Sequence, residues 1–121
     1  MKLELKQGRV NGKLTTLLVS STGRVFRNNL EEIKPCINNC GYLQLRVKFT
    51  DGTATTVQLG RLVLETFVDI PEELKDNRPE VDHKDYNRLN NNLTNLRWLS
   101  HKDNSRSRRY SGRQVPGWPL N

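Results

Sequence analysis

The chain has 121 residues, 34% of them hydrophobic, and 20 Lys and Arg against 13 Asp and Glu give a formal charge of +7. That length supports one compact domain with a modest core, or two small subdomains sharing one, and excludes a large catalytic barrel. The excess of positive charge favours a polyanionic partner such as nucleic acid. No apolar run approaches the ~18 residues of a membrane span, and MKLELKQGRVNGK lacks the apolar stretch of a signal peptide, so the cytosol is the expected place of work.

In chain order, residues 3–5 and 14–19 read as strands flanking Asn11-Gly12, a dipeptide suited to the positive-φ turn of a two-residue hairpin. A short strand through Val25 and Phe26 follows Thr22-Gly23. Cys36 and Cys40 are the only cysteines, too few for a disulfide scaffold or a four-thiolate zinc site, and are read as reduced thiols. YLQLRVKF alternates, with Leu43, Leu45, Val47 and Phe49 on one face and Gln44, Arg46 and Lys48 on the other. Asp51-Gly52 turns the chain into a partner strand, TATTVQL. The period then changes: Leu59, Leu62, Val63 and Phe67 make one apolar stripe, which predicts a helix over about 60–68. Pro71 and Pro79 bracket a polar connector, EELKDNR.

The segment VDHKDYNRLNNNLTNLRWLS, residues 81–100, is different in kind. Residues 81–83 form a brief strand, KDYNRLNNN a broad loop, and residues 96–99 a second strand anchored by Leu96 with Trp98 or Leu99. Ser100, with Asp103 three residues on, suits the N-cap of a short helix running through Asn104 toward Arg109. Asparagine is a poor filler of strands and helices, so its density here points to side chains that brace loop backbone. Hydrolysis of a phosphodiester needs a base for water and a hard cation for the developing charge. A histidine titrating near ~6.5 can be that base, and His83 is the candidate. A carboxylate and an amide oxygen suit Mg²⁺, and Asp82 and Asn104 can supply them.

The stretch VDHKDYNRLNNNLTNLRWLSHKDN resembles the active-site signature of the HNH endonucleases of the ββα-metal superfamily, especially those of phages and group I introns. STGRVFRN, IKPCINNCGYLQLRV and GRLVLETFV resemble the short module that often precedes it. The resemblance covers about residues 20 to 109 and implies an α+β fold: a strand-rich N-terminal module with one helix over residues 1–75, the HNH motif over 76–109, and a basic tail over 110–121. It implies a metal-dependent DNA endonuclease of the homing type, with Mg²⁺ or Mn²⁺ held by Asp82 and Asn104. His83 is then the general base, and Asn95 braces the loop and helps orient it, a bracing role that Asn90, Asn91 and Asn92 can share. Asp85 is read as a solvated loop carboxylate, with approach to the metal as the alternative, and His101 is given no chemistry.

Double-stranded DNA is the expected partner. Arg97, Lys102, Arg106, Arg108, Arg109 and Arg113 cluster beyond the proposed site, and Arg46 and Lys48 share an exposed strand face, so these are the candidate phosphate contacts. The chain stops at SGRQVPGWPLN without the helix-turn-helix extension of many homing relatives, so the expectation is weak sequence specificity, unless another protein partner completes recognition. One active site on a monomer predicts nicking of one strand. If phage-encoded, the protein works in the bacterial host cytoplasm. The alternatives are a structure-specific nuclease acting on branched DNA and a catalytically silent DNA-binding protein.

Overall fold

The structure is a computed structural model and describes residues 4–76 and 79–101. Strands β1 (Leu5–Val10) and β2 (Lys13–Ser20) pair antiparallel across Asn11 and Gly12, whose φ angles of 53° and 76° give the turn that follows the natural twist of a hairpin. The first strand lies later than residues 3–5. The tight turn places Val10 opposite Lys13, which zips up the polar KQGR run even though it carries no apolar alternation. The register slips between Gln7 and Arg9. Gly8 sits there, with room for no side chain because a Cβ would lie 2.6 Å from Thr15 Oγ1.

Strands β3 (Val25–Phe26) and β4 (Glu32–Ile33) complete a sheet of order β1-β2-β3-β4. A second sheet contains β5 (Cys36–Ile37), β6 (Leu43–Lys48) and β7 (Ala54–Gln58), with Gly52 at φ 93° in the turn. Leu45, Val47 and Phe49 are buried and Arg46 and Lys48 exposed, as the alternation requires. Cys36 and Cys40 are free and exposed.

Helix α1 (Leu59–Phe67) follows β7 directly. Nine residues make a helix too short to hold itself in water, so its stability comes from packing. Leu62, Val63 and Leu64 are at most 1% exposed, and the helix touches β1, β2, β6 and β7. Its Glu65 is a buried carboxylate with partners: Oε1 accepts from Arg61 Nε at 3.1 Å and Oε2 from the Gly12 backbone N–H at 2.7 Å. Arg9 Nε donates to the Glu65 carbonyl at 3.1 Å, so the β1–β2 hairpin is fastened to the helix at both its turn and its bulge.

The connector contains a tight 3-10 turn at Glu72–Leu74, started by Pro71. Strands β8 (Glu80–His83) and β9 (Leu96–Leu99) then form an antiparallel ribbon against α1. Leu96 and Trp98 are buried, while Leu99 is half-buried. Trp98 Nε1 donates to the Val68 carbonyl at 3.1 Å, and the Arg61 guanidinium stacks 4.9 Å from the indole. The core is continuous from Val10 through Val47 and Leu62 to Leu96 and Trp98. The architecture is α+β. Among the described residues no helix is long and apolar enough to cross a membrane. The helix expected from Asn104 and the tail over 110–121 lie outside the described residues.

Leu62→Ala is expected to cost about 3 kcal/mol of stability, the usual cost of a void at a fully packed leucine. Leu30→Ala, at a residue 63% exposed, is expected to cost under about 0.5 kcal/mol. Urea denaturation midpoints of the two variants check the contrast.

Candidate active site

The ribbon register sorts the site onto two faces. Asp82 stands opposite Arg97 on one face, and Val81 opposite Trp98 and His83 opposite Leu96 on the other. The Asp82 side chain is 7% exposed, and its Oδ2 accepts from Arg97 Nε at 2.7 Å, while the rest of the Arg97 side chain is half-exposed. His83 is buried, and its Nε2 lies 2.8 Å from Asn91 Oδ1. Tyr42, just before β6, sets its ring 5.9 Å from the imidazole, tilted by 45°. Arg88 covers Tyr42 at 4.8 Å and donates from Nη1 to the Cys40 carbonyl at 2.5 Å.

The loop between the strands is built from side-chain hydrogen bonds. Asp85 Oδ1 accepts from the Asn87 backbone N–H at 2.8 Å and from Asn95 Nδ2 at 2.9 Å, and its Oδ2 accepts from Asn90 Nδ2 at 2.9 Å. Asn95 Nδ2 also donates to the Asn90 carbonyl at 2.8 Å, and Asn95 Oδ1 accepts from the Asp85 backbone N–H at 3.1 Å. Asn87 and Asn92 each accept from the backbone N–H two residues on, at 3.0 and 3.1 Å, the short-range bond that lets Asx residues replace regular secondary structure. Partial desolvation pushes the Asp85 carboxyl up. Hydrogen bonds from Asn90, the Asn87 backbone and Asn95, together with nearby His83, outweigh it and hold the group below the usual carboxylate range.

The front of the chain grips this loop. The Leu93 backbone N–H donates to the Ser21 carbonyl at 2.7 Å, and Gly23, at φ 92°, lies where a Cβ would be 3.0 Å from the Asn91 carbonyl oxygen. At Gly60, in the first turn of α1, a Cβ would be 2.9 Å from Asn91 Oδ1 and 3.3 Å from His83 Cε1 and Nε2.

Several of these placements refine the sequence reading. Asp82 and His83 are adjacent and both buried. Asn95 braces the loop, whereas the side chain bonded to the histidine ring is that of Asn91. Both oxygens of Asp85 are taken up by the loop, which makes it the hub of the brace. His101 is hydrogen-bonded through Nδ1 to Glu80 Oε2. Arg46 and Lys48 line a shallow groove of about 450 Å³ together with Arg27, Asn28 and Asn29, and Arg27 was not anticipated. Arg97 is held by Asp82. Asn104, Lys102, Arg106, Arg108, Arg109 and Arg113 lie outside the described residues. A glycine inside a helical stripe signals a close approach, so Gly60 had a cue in the sequence. Nothing local separates Asn91 from Asn90 and Asn92.

Among the described residues no three His, Cys, Asp or Glu side chains converge as a metal cage. The buried carboxylate of Asp82, whose Oδ2 is engaged by Arg97, fits a hard cation that takes one or two protein oxygens and fills its shell with water and phosphate. A soft or thiolate-loving metal does not fit this donor set.

Comparison with known proteins agrees with the geometry. Residues 70–106 match the family described as HNH endonuclease. An uncharacterized HNH endonuclease of Acanthamoeba polyphaga mimivirus is 34% identical over 102 residues, which is 84% of this chain and 29% of that protein. The DNA endonuclease I-HmuI of Bacillus phage SP01 is 39% identical over 87 residues, 71% of this chain and 47% of that protein. A solved structure titled as DNA binding and cleavage by the HNH homing endonuclease I-HmuI superposes with a TM-score of 0.70 at 34% identity, covering 91% of this chain and 60% of that one.

Because the folded carboxyl of Asp85 is the more acidic one, its stabilising effect is complete above the unfolded value of about 3.9 and is lost as pH falls through the folded value. The side-chain amide NMR signals of Asn90 and Asn95 are expected to stay constant from neutral pH to about 4 and to move together below it. The same acid transition in Asp85→Asn would count against this assignment.

Proposed function

We propose, from the HNH endonuclease segment that residues 70–106 carry, that the protein is a metal-dependent DNA endonuclease of the homing type that nicks one strand of duplex DNA. The observation that carries the reading is a buried imidazole, His83, next in sequence to a buried carboxylate, Asp82, at the end of a ribbon whose loop is braced by amides.

His83 accepts a proton from the attacking water, and its fixed ring aims that step. Asp82 and Asn104 would hold a divalent cation, Mg²⁺ or Mn²⁺, which would supply neutralisation of charge on the phosphate and the leaving oxygen. Arg97 Nε donates to Asp82 Oδ2 and so holds the carboxylate turned. Asn95 serves the reaction at one remove, by holding the loop.

Duplex DNA is the partner that matches a chain of charge +7. Arg46 and Lys48, with Arg27 beside them, meet backbone phosphates along their groove, and Arg97, Lys102, Arg106, Arg108, Arg109 and Arg113 extend the contact. One set of Asp82, His83 and Asn104 per monomer cuts one strand at a time, and a further protein supplies site selection where it is needed. With a relative in a Bacillus phage, the place of action is the bacterial host cytoplasm.

Supercoiled plasmid incubated with Mg²⁺ or Mn²⁺ is expected to give nicked circles before any linear product, and chelator to abolish both. His83→Ala is expected to lower the rate by ~10²-fold or more with duplex binding retained. Full activity in that variant, or linear product appearing first, would overturn the reading. Arg46→Ala is expected to weaken binding across sequences and reduce the slope of log affinity against log salt by about one.

A further inference from the structure

We infer that Asn91 and Gly60 decide which nitrogen of His83 is free to take the proton: the amide oxygen keeps the hydrogen on Nε2, and the absent side chain of Gly60 leaves room for that pair. The inference rests on the reading of His83 as the base.

An amide oxygen accepts hydrogen bonds and has no hydrogen to give. Asn91 Oδ1 lies 2.8 Å from Nε2, and the two residues are 5% and 8% exposed, so water does not mediate between them. The amide nitrogen of Asn91 points instead toward the Leu89 carbonyl at 3.5 Å, an acceptor consistent with the oxygen facing the ring. Nε2 therefore carries the hydrogen, and a neutral imidazole so bound keeps its lone pair on Nδ1. The opposite tautomer would face two lone pairs across a buried contact and leave both unsatisfied.

The support for Asn91 comes from far away in the chain. Its carbonyl lies against Gly23, and the neighbouring Leu93 is bonded to Ser21. On the other side, the Gly60 Cα faces the bonded pair, and a Cβ there would come within 2.9 Å of Oδ1 and 3.3 Å of the ring. The helix backbone cannot retreat, because Leu59 and Leu62 beside it are buried in the core. Glycine is a poor helix residue, so its presence in this turn has a packing cause. Asn91 and Gly60 act through His83, as positioning residues.

The test uses the full chain labelled with ¹⁵N-histidine. His83 and His101 are the only histidines, and His101→Gln assigns the signals. A long-range ¹H–¹⁵N spectrum at about pH 8, above the ordinary imidazole range, reports the tautomer directly. The native ring is expected to show the Nε2–H pattern, and Asn91→Asp, which keeps an acceptor, to preserve it. Asn91→Leu and, should that variant fold poorly, Gly60→Ala are expected to populate the Nδ1–H form. Nicking by either is expected to lose ~10²-fold in kcat with KM for plasmid unchanged. An Nδ1–H pattern in the native protein, or an unchanged pattern and kcat in both variants, would overturn the inference. A native ring in the Nε2–H form in a protein that cuts no DNA would support it and instead count against the nuclease reading.

Discussion

The nine-residue helix α1 is the constraint on which the rest of the molecule depends. It packs against strands of all three sheets, and the ribbon that carries Asp82 and His83 meets the front of the chain largely through it. A two-stranded ribbon is marginal alone in water, and so is a helix of this length. Each becomes stable by burying the other: Leu62 and Val63 fill one side of the contact and Leu96 and Trp98 the other. Glu65 adds a directional restraint, since its carboxylate joins Arg61 to the hairpin turn at Gly12. Helix, hairpin and ribbon therefore hold a common geometry.

Beyond the ribbon, apolar packing gives way to amides. The stretch 84–92 has few buried hydrophobic side chains, yet its backbone groups still need partners. Asp85, Asn87, Asn90, Asn92 and Asn95 provide them, each bond worth only about 1 kcal/mol net but all closing on one another around Asp85. Such a loop is rigid for a reason different from that of a core. Its order depends on the charge of one carboxylate, and its place depends on Ser21 and Gly23 of the first sheet.

That division explains what could be read from the sequence. Asn11-Gly12, Asp51-Gly52 and the alternation at Leu43, Leu45 and Val47 are local signals, and the hairpin, the second sheet and α1 follow them. Strands β4 and β5 are two residues each, below the length at which alternation exists. Asp82 and His83 were legible because adjacency carries chemical meaning. The partner of His83 was not, because choosing Asn91 from three consecutive asparagines requires knowing that Gly60 and Gly23, 31 and 68 residues away, press on it from two sides. Asp85 is an exposed loop carboxylate, as expected, but its three donors were not legible, because they come from different turns of a loop whose path is set elsewhere.

One step along a β-strand reverses the face, and here it separates the surroundings of Asp82 from those of His83. Asp82 looks toward Arg97, a charged partner whose Nε donates to its Oδ2. His83 looks toward α1 and a neutral amide, which orients the ring by geometry without placing a second charge against it. The backbone thus joins the two groups while their environments remain distinct. A change in the helix, as at Gly60, reaches the histidine first, and a change at Arg97 reaches the carboxylate first. The Asp-His pair is consequently less a single motif than a junction of two supports, one from its own ribbon and one from the front of the chain.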